Sequence, residues 1–231
     1  MNDALLNVLR SVDTPTVCNA IEAAQGKRGF NNFTKATMVA SAPEEKSVVG
    51  YALTAKIAAT SAPEEAAERV KERRMAYYKY MAEGQRPSVA VIEDCDFPNC
   101  VGAFWGEINT TVHKGFGVSG VVTNGVVRDL GDLPTGFPVI AGSIGPSHAF
   151  VHVREFGKPV SVFGLEVEEG DLVHADRHGA LVIPSLVIPS LQHAIEKLIA
   201  TERLVLDPAS KPDFDFEAFA KAWAAFEAAR T

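Results

Sequence analysis

Glu107 and the adjacent pair Arg128-Asp129 are the residues of this chain best suited to chemistry. An arginine can fork onto a carboxylate or an enolate through two parallel N–H donors. An aspartate beside it can hold Mg²⁺, which keeps most of its waters and takes few protein ligands. Glu107 follows the short strand VGAFW and stands at a predicted helix start preceded by Gly106. The first N–H groups of such a helix, here those of Ile108 and Asn109, have no intrahelical partner and can hold an anion. Arg128-Asp129 follows the strand VVTN through a turn at Gly125. An acid with N–H donors and an Arg–Asp pair therefore sit at two strand ends, and they share one cleft if those strands are neighbours. On spacing alone, a surface ion pair beside a capped helix explains the same residues more simply.

Other candidates fall to their context. Gly115-Phe116-Gly117-Val118-Ser119-Gly120 fits G-x-G-x-x-G. A dinucleotide site needs a strand before that motif and a helix after it. Here a helix leads in and a strand leads out, which reads as a helix-to-strand turn, so no nucleotide cofactor is expected. His174 and His178 are four apart, but DLVHADRHG reads as a strand ending in a turn, so they share no helical face. His113 and His193 stand at no metal-ligand spacing, and no G-x-S-x-G elbow is present. Lys56 is the one lysine within a predicted strand, and a Schiff-base mechanism would require it to be desolvated. The element count does not match a (β/α)₈ barrel.

The positioning elements read as alternating strands and helices. Asp3–Val12 and a segment beginning at Thr14, as N-cap with Pro15 at the first helical position, predict two helices, the second stopping at Gly26. SVVGYALTAKIAAT predicts a strand. Ser61 opens a capping-box pattern ahead of a charged helix that runs to Gly84. In that helix Met75, Tyr77, Tyr78, Tyr80 and Met81 serve a core or a subunit contact. PSVAVIED, VGAFW, VSGVVTNG, KPVSVFG, DLVHAD and GALVIP predict strands, with EINTTVHKGF a short helix. Gly170-Asp171 and Arg177-His178-Gly179 mark turns. PSLQHAIEKLIATERLVL and DFDFEAFAKAWAAFEAART predict two helices joined by a polar linker, LDPASKPD. The second carries Phe216, Phe219, Ala220, Trp223 and Phe226 on one face, which requires burial on this domain or on a neighbouring subunit.

The 231 residues, 47% hydrophobic and 22% charged, suffice for a core without staples. A net charge of -7 with scattered Lys and Arg argues against a nucleic-acid partner. Cys18, Cys95 and Cys100 form no disulfide framework, which fits a reducing cytoplasm. The N-terminus lacks a signal-peptide pattern, and no apolar run reaches membrane-spanning length, so no membrane partner is expected.

These residues resemble the family of 4-hydroxy-4-methyl-2-oxoglutarate aldolases and the regulator of ribonuclease activity A. In that family an acid, twenty intervening residues and Arg-Asp form the active-site motif; Glu107, Ile108 to Val127 and Arg128-Asp129 reproduce it, and Asp132 matches a further acid. TPTVCNAIEA, VVGYALTAKI and GKPVSVFGLEVEEGDLVHADRHGALVIP are similar to flanking family segments, so the resemblance spans about residues 14 to 184. Three departures are Glu107, where the aldolases usually have Asp, Asn109, where an apolar residue is common, and the charged helix from Ser61 to Gly84 with the tail after Pro184, which match less closely.

The resemblance implies an α/β fold: a three-layer β/β/α swivelling, phosphohistidine-like domain with added N- and C-terminal helices. It divides the chain into a catalytic domain, 1–184, and a C-terminal helical extension, 185–231. It further implies a homotrimer or hexamer with active sites between subunits, completed by a neighbour's acid such as Glu196 or Glu202. The expected activity is a Mg²⁺- or Mn²⁺-dependent lyase cleaving 4-hydroxy-2-oxo acids to pyruvate, with oxaloacetate decarboxylation on the side. Asp129 and Glu107 would serve the metal, Arg128 the 2-oxo oxygen, and Gly106, Ile108 and Asn109 the substrate carboxylate. The rival expectation is a non-catalytic protein-binding regulator of the ribonuclease E type.

Overall fold

The computed structural model of the chain describes residues 1–230, and Thr231 at the end of the predicted last helix lies outside them. The organising strand is β2 (Val48–Ala58), whose β-branched and small residues are buried almost throughout. Its first half pairs antiparallel with β12 (Leu172–Asp176) and its second half with β9 (His152–Phe156). On its other side lie, in parallel, β3 (Ser88–Asp94), β5 (Val118–Thr123) and β7 (Val139–Ala141). The two-residue β1 (Val39–Ala40) closes one edge and β13 (Gly179–Ile183) the other, giving eight strands.

Strand alternation divides the core between the faces of this sheet. One face carries Leu53, Ala55, Ile57, Ala90 and Ile92 against helix α3 (Ala67–Glu83) and the buried Phe104 and Trp105. Farther along that face Val49, Leu172 and Leu181 pack on α1 (Asp3–Ser11), α2 (Thr14–Gln25) and α5 (Ile188–Ala209). The opposite face is covered by the hairpin of β10 (Val160–Val162) and β11 (Leu165–Val167). The result is a mixed α/β fold of helices, large sheet and hairpin, with helices added at both ends. No helix among the described residues is long and apolar enough to cross a membrane.

A second, small sheet stands beside the first. It consists of the parallel strands β4 (Ala103–Trp105), β6 (Val126–Val127) and β8 (Ser143–Ile144), in the order β4-β6-β8. The helix α4 (Glu107–Gly115) leaves β4 through Gly106. It ends at Gly115-Phe116-Gly117, where Gly117 takes φ +83° and turns the chain into β5, so the G-x-G-x-x-G segment is a helix-to-strand turn.

Several local expectations are corrected. Asp13, not Thr14, caps α2: its Oδ1 accepts the Thr16 N–H, while the Thr14 N–H is taken by Asp176 Oδ2. Ser61 caps nothing, because α3 starts only at Ala67. Glu65 pairs with Arg73, eight positions on. Such positions lie about 12 Å apart along a helix, so the pair forms only with Glu65 off the helix. The predicted linker is shorter than expected, since α5 runs through Pro208 to Ala209 before α6 (Phe216–Arg230) begins. The aromatic face of α6 is not buried by this chain: Phe216 is 81% and Trp223 41% exposed.

Under α4 lies a buried histidine that the spacing rules passed over. His113 donates from Nδ1 to the Asn109 carbonyl at 2.6 Å and accepts at Nε2 from the Tyr77 hydroxyl at 2.8 Å. Burial pushes its pKa down to about 4 from 6.5, the Asn109 bond opposing. His174, held by Thr14 and the Leu9 carbonyl, is pushed down by burial too. Between those pH limits the unfolded chain binds a proton at position 113 that the folded chain refuses. Stability therefore falls as pH drops from about 6.5 towards 4, on the order of 3 kcal/mol for His113. Urea unfolding across this range should show that fall, and His113→Gln should flatten it.

Candidate functional site

The two halves of the candidate site are carried on adjacent parallel strands. β4 ends at Trp105 and delivers Gly106 and Glu107; β6 ends at Val127 and delivers Arg128 and Asp129. The Arg128 N–H donates to the Trp105 carbonyl at 2.9 Å, so the pairing continues up to the site. The pair follows β5 through the expected turn at Gly125, but a further short strand, not expected, comes between. β5 stops at Thr123, the chain crosses at Asn124-Gly125, and the two residues of β6 present the pair from the small sheet.

Asp129 has φ +56°, the left-handed region, where aspartate is better tolerated than most residues. The turn is closed by the Asp132 N–H donating to the Asp129 carbonyl at 2.9 Å, while the Asp132 side chain is exposed. This backbone aims the Asp129 carboxylate at the start of α4. Its Oδ2 accepts the Glu107 N–H at 3.1 Å and lies 3.5 Å from Arg128 Nε. The carboxylate thus acts as the cap that Gly106 cannot supply, at the positive end of a helix dipole. It packs so closely over Gly106 that a Cβ there would fall 2.4 Å from Oδ2 and 3.0 Å from Arg128 Nε.

What remains unpaired defines what the site can do. Among the described residues, Asp129 Oδ1, the Glu107 carboxylate, both terminal nitrogens of Arg128 and the N–H groups of Ile108 and Asn109 have no hydrogen-bond partner. Two free carboxylates suit a hard divalent cation that takes few protein ligands and completes its shell with water. No cluster of three or more His, Cys, Asp or Glu side chains able to hold a metal occurs among the described residues. The Asn109 side chain faces inward: Nδ2 donates to the Phe104 carbonyl and Oδ1 accepts from Tyr78, each at 2.6 Å. Only its backbone is left for a ligand.

The other expected residues lie elsewhere. Glu196 bonds Gln192 within α5, and among the described residues no hydrogen bond or ion pair joins Glu196 or Glu202 to Glu107, Arg128 or Asp129. Lys56 is held by Glu155 at 3.0 Å, and chiefly that hydrogen bond raises its pKa, the reverse of what a Schiff-base lysine requires. His178 pairs with Asp176 in an exposed turn. A cleft of about 510 Å³ lined by Arg10, Glu45, Lys46 and Ser119, and a smaller one by Cys18 and His178, include none of the site residues. Glu107 is exposed, and the Arg128 and Asp129 side chains are about one-third exposed.

The family model described as RraA-like, Aldolase/RraA, matches residues 14–182. The chain belongs to the RraA-like family. A putative 4-hydroxy-4-methyl-2-oxoglutarate aldolase of Halalkalibacterium halodurans is 25% identical over 177 residues, 76% of this chain and 74% of that protein. Protein DlpA of Legionella pneumophila is 30% identical over 124 residues, 52% of this chain; the chain spans only 19% of that relative's length. The solved structure of RraAS2 from Streptomyces coelicolor, described as an unusual member of the RNase ES inhibitor RraA protein family, superposes with a TM-score of 0.64. It is 21% identical and covers 91% of this chain and 98% of its own, a likeness of fold. The family thus embraces aldolases and ribonuclease regulators.

The close seating of Asp129 over Gly106 has a direct consequence. Gly106→Ala should cost about 1–3 kcal/mol through overpacking. Gly115→Ala, with nothing within 4 Å of its Cβ, should be neutral or stabilising by up to about 1 kcal/mol. Urea denaturation of the two variants checks this, and equal losses would contradict it.

Proposed function

We propose that the protein is a divalent-metal-dependent aldolase that cleaves 4-hydroxy-2-oxo acids to pyruvate, with oxaloacetate decarboxylation as a side activity. The observation that carries the reading is the division of labour at Asp129. Its Oδ2 is committed to the Glu107 N–H and Arg128 Nε, while Oδ1, the Glu107 carboxylate and the Arg128 terminal nitrogens stay free at two neighbouring strand ends. A surface ion pair has no need of a left-handed backbone and a glycine floor to hold one carboxylate in place. The similarity to a putative aldolase supports the same reading.

Asp129 Oδ1 and the Glu107 carboxylate would hold the cation. Mg²⁺ or Mn²⁺ bound there supplies Lewis-acid polarisation of the 2-oxo group. The N–H groups of Ile108 and Asn109 hold a substrate carboxylate oxygen, beside Gly106, whose missing Cβ is taken up by the Asp129 carboxylate. Arg128 places its free nitrogens at the 2-oxo oxygen, where negative charge develops as the C3–C4 bond breaks. The electron pair of that bond passes into the pyruvate enolate, and C4 departs as a carbonyl compound. The 4-hydroxyl proton goes to a water oriented by Glu107. Oxaloacetate yields the same enolate on losing CO₂.

The exposure of Glu107 beside the partly exposed Arg128 and Asp129 also fits a multimer, a homotrimer or hexamer, in which a second copy covers the site. Ile108 in the first turn of α4, Leu130 just after Asp129 and Ile144 at the end of β8 are exposed apolar side chains that such a copy would bury.

A screen of 4-hydroxy-2-oxo acids and oxaloacetate should reveal pyruvate release that a chelator abolishes and Mg²⁺ or Mn²⁺ restores. Arg128→Ala should lower the rate by at least about 10²-fold. Release that survives both overturns the proposal; no release with any 2-oxo acid, together with stable ribonuclease co-purification, establishes the protein-binding regulator instead.

A further inference from the structure

The first turn of α4 carries the donor to Asp129, the Glu107 carboxylate and the free N–H groups, yet its N-cap Gly106 offers no side chain to fix it. What fixes it comes from inside. Asn109, the third residue of the helix, folds its side chain back: Nδ2 donates to the Phe104 carbonyl on β4, and Oδ1 accepts the Tyr78 hydroxyl on α3, both at 2.6 Å. The Asn109 carbonyl accepts the His113 Nδ1–H, and His113 Nε2 accepts the Tyr77 hydroxyl, again from α3. Tyr77, Tyr78, Phe104, Trp105 and Phe116 surround the imidazole with ring centroids 4.7–6.5 Å away. One residue of the helix is thus tied to a strand, to a second helix and to its own next turn, two positions from Glu107.

Resting on the lyase reading above, we propose that Asn109, with Tyr78, is a positioning residue: the clamp holds the first turn of α4 so that the Glu107 N–H seats the Asp129 carboxylate. The side chain of Asn109 touches no substrate. It acts through the helix, and its loss lets the turn tilt away from β6 and frees Asp129 to swing off its cap. A simple packing role would be met by any apolar side chain of similar size, because Phe104 and Tyr78 are already part of the apolar core around it. The hydrogen-bonding geometry is met only by an amide, which donates and accepts at once.

The test uses Tyr78→Phe, which removes one hydroxyl, and Asn109→Leu, which removes both bonds. Amide hydrogen exchange is followed in the Gly106–Thr110 and Val127–Leu133 segments, with β2 and β3 as internal references, beside kcat and KM for pyruvate release. Exchange in both segments should accelerate by about tenfold or more while β2 and β3 stay protected. The rate kcat should fall by about tenfold or more with KM changed much less. Asn109→Gln, which keeps both bonding functions, should recover part of kcat where Asn109→Leu does not. Unchanged exchange at these segments in Tyr78→Phe overturns the proposal, and so does faster exchange with unchanged kcat. If the wild-type protein releases no pyruvate, the lyase reading falls, and exchange at Val127–Leu133 alone then decides whether the clamp seats Asp129.

Discussion

The site rests on one contact: a carboxylate laid across a glycine onto the start of a helix. Asp129 reaches the α4 N-terminus only because its backbone is left-handed, because Gly106 has no Cβ, and because β4 and β6 run parallel and adjacent. Each condition is local, and together they put an anion where the helix dipole and an orphan N–H favour it. The contact also sorts the carboxylate oxygens: one becomes structural and the other remains free. Arg128 is treated likewise, its Nε facing Asp129 and its terminal nitrogens open.

The larger architecture serves that contact. The long β2 gives the main sheet its rigidity by pairing with three neighbours along its length, β3 on one side and β12 and β9 on the other. The three short strands of the second sheet lean on that sheet through Phe104, Trp105 and Val127. Tyr77 and Met81 of α3 fill the same core, so the clamp under α4 is anchored in the most buried part of the molecule.

The features legible in the sequence were those with local signals. The Gly26 stop, the Gly117 and Gly179 turns and β2 follow from residue types and short spacings. Glu107 and Arg128-Asp129 were legible as residues at two strand ends, but that the two strands are neighbours is carried by the β4–β6 pairing, which has no local signal. The small sheet was not read as a separate layer, since strands of two or three residues carry no periodicity. The capping pattern at Ser61 marked the start of α3 too early, since the chain stays off the helix until Ala67, with Glu65 paired to Arg73. The side-chain roles of Asn109 and His113 gave no signal, because their partners on β4 and α3 lie five to thirty-six positions away and meet only in the fold. The single aromatic face of α6 was legible, and Phe216, Phe219, Trp223 and Phe226 do stack on one another, but Phe216 and Trp223 are exposed rather than buried.

The central claim is that Asp129, held at one oxygen, offers the other to a divalent cation. Titration of Mn²⁺ into the protein, with and without oxalate as a mimic of the pyruvate enolate, tests it most directly. The account predicts one site per chain, tightened by oxalate and lost in Asp129→Asn while the fold is retained. Absence of Mn²⁺ binding, or binding unchanged in Asp129→Asn, would contradict it.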